Sequence, residues 1–490
     1  MSEIAKKIFC FSQKSSLRMI FFSSCCSSFK QYRQPVFILN YSMMNTCHEC
    51  TSERDISLKQ HAGEIMQRII YPTLLLATFG CQSALAEAIQ VSEQLTVKPV
   101  LDVTYGIFNS QKSYSGAADE GQKTWQEAVA KYGVEAEYQL GQGTAYSSVV
   151  GLSSGTFGDG DAAGISTGDE RKTSLEQWTL GWRNGPAEEA TIDASVGRQS
   201  VVIADGFLVA GDALNFGQGY GDELNRGGGY YLAARQSFDL TAVLHYQISD
   251  ALKTHWYYLE SANKAQAQPK LWSTDFEYSH DKSKLGLTYL QVTDVDGGDE
   301  NLRNDIKDVA VRAKTQVNGQ LALAAEYVHQ DKQQGNENAW YASAQYTFDQ
   351  MKYQPTLGYR LSSFSKDYDG LFYGNTDAGF GTWFQGEVAA NYSGPYSTNT
   401  RIHQLSLQAS VKENLHLGAL AYQFDTIEKS YGDLDANEID LFAVWSPTQN
   451  MNVIPLLGFY KPKKDADHGG SQLGDKDTNT YTQLILQYVY

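Results

Sequence analysis

Tyr481-Thr-Gln-Leu-Ile-Leu-Gln-Tyr-Val-Tyr490 carries no charge and ends on an aromatic residue. Read as a strand, with side chains alternating between faces, it puts Thr482, Leu484, Leu486, Tyr488 and Tyr490 on one side. Tyr481, Gln483 and Gln487 fall on the other, with Ile485 and Val489 blurring the contrast. Such a strand names two solvents: hydrocarbon for the apolar face, and an aqueous lumen for its opposite.

The stretch resembles the last strand of bacterial outer-membrane β-barrels, and it implies contact with the barrel-assembly machinery through the strand ending at Tyr490. Working outward, the same alternation recurs in Leu101–Ile107, Val134–Leu140, Val309–Lys314, Leu321–Tyr327 and Ile439–Trp445. Short turns join pairs of strands at Gly141–Gly143, Ser249–Ala251, Asn318–Gly319, Asp349–Gln350 and Lys412–Asn414. Longer connections, rich in Gly, Asp, Ser and Asn, cover 109–131, 155–173, 200–229, 294–307, 365–397, 425–437 and 461–478. Short turns on one side and long loops on the other predict an all-β, transmembrane, antiparallel up-and-down barrel of about 18 strands. Even parity assigns one strand to 230–248. A soluble propeller or sandwich would share the short strands, but it explains neither the aromatic C-terminus nor the one-sided loop lengths.

Composition agrees. Hydrophobic residues make up 42% of the 490, and the mean hydropathy of −0.40 argues against helical spans as the main architecture. A barrel tolerates this, because only alternate residues must be apolar. The 31 tyrosines suit interfacial girdles. All six cysteines (Cys10, Cys25, Cys26, Cys47, Cys50 and Cys81) precede residue 87, so no disulfide framework is expected beyond it. Met66-Gln-Arg68, the apolar run Ile69–Phe79 and Ala84-Leu-Ala86 read as a signal peptide over 66–86. Residues 1–65 are then expected to be a disordered, non-native extension, and 87–490 the barrel. That last part holds 30 basic and 51 acidic residues, net −21. This balance disfavours nucleic acid and suits loops facing lipopolysaccharide through bridging cations.

One region carries a family likeness. Val196-Gly-Arg-Gln199, then Asp205-Gly-Phe-Leu-Val-Ala-Gly-Asp212, followed by Gly227–Leu232, Ala234-Arg235, Phe238–Leu244 and Leu259–Gln266, resembles the alginate export family of outer-membrane proteins. The resemblance implies a passive conduit of about 18 strands for an anionic polysaccharide. Gly197, Arg198, Gln199, Asp205, Gly206, Phe207, Gly211 and Arg235 are the residues that carry it. Gly197 would let Arg198 approach a neighbouring strand and fork onto carboxylates or carbonyls inside the barrel. Alternatively, Gly197–Gln199 simply ends a strand and pins a loop. The glycine-rich 200–229 segment is long enough to fold inward as a constriction.

Alternation assigns Arg183, Arg312, Lys314 and Arg360 to the lumen and, with Arg198, makes them the expected solute path. It adds Asp102, Glu135, Glu137, Asp193, Asp275, Glu277, Glu326, Glu438 and Asp440. That mixture predicts weak anion preference or little selectivity. Trp182, Tyr138, Tyr327, Trp445, Tyr488 and Tyr490 are expected to form lipid-side girdles, while an inward aromatic such as Tyr481 could stack on sugar. The acidic runs at Asp294–Glu300 and Asp465–Asp467 miss the spacing of a calcium loop. No cofactor, metal site or catalytic constellation is recognisable, although His245, His255, His280, His329, His403 and His416 lie in or beside strands. The expected function is a non-enzymatic outer-membrane porin for anionic oligo- or polysaccharide or small polar solutes. Alternatives are a general small-solute porin and a surface interaction protein with a closed lumen.

Overall fold

The computed structural model describes residues 88–374, 386–393 and 397–490. The expected extension, the signal peptide and all six cysteines lie outside the described residues. Among those described, no helix is long and apolar enough to cross a membrane. The chain crosses with strands.

The first six are β1 (Leu95–Ser110), β2 (Lys123–Leu140), β3 (Gly143–Gly158), β4 (Arg171–Arg183), β5 (Ile192–Gln199) and β6 (Phe238–Gln247). Next come β7 (Leu252–Glu260), β8 (Lys270–His280), β9 (Ser283–Asp294), β10 (Lys307–Gln316), β11 (Leu321–Lys332) and β12 (Gly335–Thr347). The last are β13 (Thr356–Phe364), β14 (Thr400–Lys412), β15 (Leu415–Thr426), β16 (Ala436–Thr448), β17 (Met451–Pro462) and β18 (Asn479–Val489). Each pairs antiparallel with its sequence neighbours. β18 returns to β1, from Asp102↔Val489 to Ser110↔Tyr481, and closes the cylinder. Closure leaves no free edge, as a membrane-spanning sheet requires. One extra two-residue strand, Ile89–Gln90, is appended to β1.

The faces separate by period two. Leu180, Leu285, Val311, Leu407 and Ile439 are exposed on the outside, as are the girdle aromatics Trp182, Tyr138, Tyr327, Trp445, Tyr488 and Tyr490. Exposed leucine and isoleucine in such numbers make sense only against hydrocarbon, so the chain is an integral outer-membrane barrel. In β18, Tyr481, Gln483 and Gln487 are buried inside, as their alternation requires. Residues 230–248 contain one barrel strand, β6, and Gly229–Ser237 belong to the loop before it.

The loop asymmetry has one exception. Only Gln333–Gln334 separate β11 from β12, although that hairpin stands on the long-loop rim. The segments 200–237 and 365–399 are the longest connections, and their described residues fold inward. Phe207, Leu208, Val209, Leu214, Tyr230, Tyr231, Phe372, Tyr373, Val388 and Tyr392 are all buried. Thus the largest apolar cluster of this membrane protein lies inside the barrel.

Candidate functional site

The upper lumen is built by fastening two polar-backboned loops to a wall. A loop buried in a cylinder must find partners for its N–H groups. Three inward glutamates supply them. Glu127 on β2 accepts from the N–H groups of Tyr231 (3.2 Å) and Leu232 (2.8 Å). Glu176 on β4 accepts from Gln236 (2.7 Å) and Ser237 (3.0 Å). Glu438 on β16 accepts from Val388 (2.9 Å) and Ala389 (2.6 Å). The loops also hold each other: the Ala210 N–H donates to the Phe372 carbonyl at 2.8 Å, and that of Gly374 to the Gly206 carbonyl at 2.8 Å.

Aromatic packing completes the assembly. Phe207 meets Tyr341, Tyr373 and Phe364 at centroid distances of 5.2, 5.5 and 5.7 Å. Trp125 stacks on Phe108 at 5.2 Å and meets Tyr392 edge-on at 5.5 Å. These distances are in the range where offset and edge contacts are favourable. Tyr481 is fully buried against Trp125 and Tyr392, so it offers no ring face for a sugar. This corrects the stacking expectation.

The residues that carry the family likeness form the anchor of the 200–237 loop. Gly197 has φ +139°, and a Cβ there would lie 2.2 Å from the Trp178 carbonyl oxygen, so only glycine fits this close strand approach. Gln199 donates to Thr241 Oγ1 at 2.8 Å. Asp205 receives the Tyr341 hydroxyl at 2.6 Å and pairs with Lys314 at 3.2 Å. Gly206 and Gly211 turn the chain at φ +85° and +95° on either side of the buried Phe207. Buried Arg235 donates to the Arg226 carbonyl at 2.7 Å and lies 3.6 Å from Glu176.

Of the cations expected in the solute path, four face inward. Arg183 pairs with Glu137 at 3.0 Å and lies over the Tyr146 ring. Arg312 forks onto Asp275 at 2.7 and 2.9 Å and also donates to Thr288. Lys314 is engaged by Asp205. Arg360 sits 3.6 Å over the Tyr341 ring and donates to Ser362 at 3.2 Å. No carboxylate stands within ion-pair reach of it among the described residues.

Arg198 departs from the expected solute path. It is in register with Trp178, a lipid-facing residue, and pairs with exposed Asp239 at the outer rim. Alternation within β5 puts it there: Val196 on the same parity is exposed, while Gly197 and Gln199 are buried.

Below the loops the wall changes character. Arg360 shares a groove with Ser343, Gln345, Gln404, Ser406 and Gln408, all uncharged and polar. Sequence reading missed Lys131 as a buried inward cation, and it missed the clamp role of Glu127 and Glu176. Glu127 and Lys131 share the parity of Trp125 and Val129, so periodicity alone would have found them. Glu176 escapes because β4 carries an irregularity opposite Val150/Gly151.

No family model matches the sequence, and no curated protein is similar to it. Among solved structures, a BenF-like porin from Pseudomonas fluorescens Pf-5 superposes with TM-score 0.55 at 12% identity, covering 80% of this chain and 98% of that one. Pseudomonas aeruginosa OpdQ gives 0.52 at 12% identity, over 80% and 97%. Pseudomonas aeruginosa OccK11 (OpdR) gives 0.51 at 11% identity, over 80% and 95%. At such identities the likeness is one of fold. The chain has the architecture of the 18-stranded outer-membrane porins.

Proposed function

We propose that this protein is a passive outer-membrane channel for small polar solutes. The observation that carries the reading is the wall beneath the inward loops, where amides and hydroxyls surround Arg360 inside a closed barrel. Such groups replace part of a solute's hydration without gripping one solute strongly. The porin fold of its structural neighbours supports the same class.

Selectivity follows from pairing. Arg183, Arg312 and Lys314 each face a carboxylate within 3.2 Å, so their fields largely cancel. Arg360, with no carboxylate in ion-pair reach among the described residues, leaves a weak preference for anions. Passage of an alginate-type polyanion rests on the sequence resemblance at 196–266, and a conduit for it would want a continuous positive ladder. The paired cations favour small solutes instead. Residues 66–86 would direct export and be removed, and the β18 strand would engage the assembly machinery.

Planar-bilayer conductance tests this, with neutral sugars and alginate oligomers as competing blockers. Steady conductance with a slightly anion-shifted reversal potential is expected. Protein that inserts yet never conducts would replace the channel with a closed, loop-presenting surface protein. Block by alginate oligomers far below the concentration needed for neutral sugars would restore the polysaccharide role.

A further inference from the structure

The lumen wall near the short turns carries a titratable row that the channel reading does not use. Hydrogen-bond registers align Arg183 with Asp193, Asp193 with His245, His245 with His255, and His255 with Asp275. Five chemistry-bearing side chains from β4 to β8 thus stand side by side. In its centre the Nδ1 atoms of His245 and His255 approach to 2.5 Å, with ring centroids 4.7 Å apart. Both rings are only partly buried, and Tyr257 packs beside them at 5.9 and 6.4 Å.

We infer that His245 and His255 form a two-nitrogen site for a borderline transition-metal cation of the Cu2+, Ni2+ or Zn2+ class. Directly opposed residues on paired strands are held at a fixed spacing by the ladder, so the two ligands are preorganised. Metal–imidazole bonds of about 2.0–2.1 Å in tetrahedral geometry put two nitrogens about 3.3 Å apart. Opening the present contact to that distance takes less than about 1 Å of ring rotation, with each proton carried on Nε2. Water in the lumen completes the coordination.

The charges around the pair select the class of ion. Asp193, Asp275 and Glu277 face it, and so do Lys253, Arg183 and Arg312 from the same and adjoining strands. All three carboxylates are already engaged: Asp193 by the Tyr146 hydroxyl, Asp275 by Arg312 and Glu277 by Lys284. Among the described residues, no three His, Cys, Asp or Glu side chains converge to hold an ion. The local field is near balance, so a hard cation bound by charge, such as Mg2+ or Ca2+, gains little. Affinity must come from nitrogen coordination, which follows the order that peaks at Cu2+. The sequence reading expected no metal site because these histidines are ten residues apart and meet only across the ladder.

The test uses untagged full-length protein in detergent, stripped with chelator and titrated with Cu2+ by calorimetry. One histidine-dependent equivalent is expected, its paramagnetic spectrum split by two nitrogens and unmoved by excess Mg2+. His245→Gln and His255→Gln should each weaken it at least about tenfold. Heat-modifiable electrophoretic mobility confirms that each variant is a folded barrel. Identical isotherms for wild type and the double variant, or no binding by wild type, would overturn the site and leave a plain His–His hydrogen bond. Binding is read without conductance, so the result stands apart from whether the barrel is an open channel.

Discussion

The two halves of the lumen are built on opposite principles. Near the long-loop rim, wall carboxylates face chain: Glu127, Glu176 and Glu438 hold backbone N–H groups, and aromatic rings fill the space between. Near the short turns, wall side chains face each other, as at Arg312–Asp275, Arg360–Ser362 and His245–His255. The same inward parity therefore makes a scaffold for loops in one half and a wall of side chains paired with one another in the other. What decides is whether a loop is long enough to return.

Removing the return should erase the contrast. Replacing residues 201–228 with a short Gly-Ser linker should raise single-channel conductance severalfold in planar bilayers. Unchanged conductance would mean that the packed half is not the limiting section. Next in size, Phe207→Ala takes a buried ring from between Tyr341, Phe364 and Tyr373, at a cost of about 3–5 kcal/mol in loop docking. Hydrogen exchange at Val209 and Ala210 reports it. Gln404→Ala in the polar half should cost less than about 1 kcal/mol.

Glu127→Leu strands two buried N–H groups at about 1–3 kcal/mol each, and the loop carrying Tyr231 and Leu232 should become cleavable by added protease. Equal protection in the variant would show that packing alone holds the loop. Arg360→Ala should leave thermal stability within about 1 kcal/mol, the scale of a ring–cation contact. It should also move the reversal potential a few millivolts towards cations, and an unmoved potential would dissociate Arg360 from selectivity.

The smallest effect belongs to the rim. Burial alone would raise the Asp435 carboxyl, but hydrogen bonds from Lys429, the Thr426 N–H and Lys463 outweigh it and hold it at about 2. A depressed carboxylate stabilises the fold above its ordinary value and loses that contribution as pH falls through about 2. Acid should thus loosen the 427–435 loop first between pH 4 and 2, read as faster exchange at Leu434 with the barrel amides unchanged.

Much of this was legible because lipid imposes a period. Alternation alone placed Leu180, Trp182 and Val311 outside, and Arg183, Arg312 and Arg360 inside. On β5 it also sends Arg198 outward with Val196, against the place in the solute path that the resemblance implied. Partners were not legible, since they depend on register between strands distant in sequence. Arg312 finds Asp275 across β9, and Asp205 finds Lys314 from the tip of a returning loop. The glycine-rich segment announced that it could turn inward. The glutamates that catch it are ordinary wall residues until the loop arrives.

The β1–β18 seam carries a last consequence. Its partners, Asp102 with Val489 through Ser110 with Tyr481, come from opposite ends of the strand series. Until β18 reaches β1, every earlier hairpin can zip, yet the growing sheet keeps two naked ribbons of unpaired peptide groups. Before that closure the polypeptide is consequently a sticky intermediate, and sealing one joint ends that danger for the whole molecule at once.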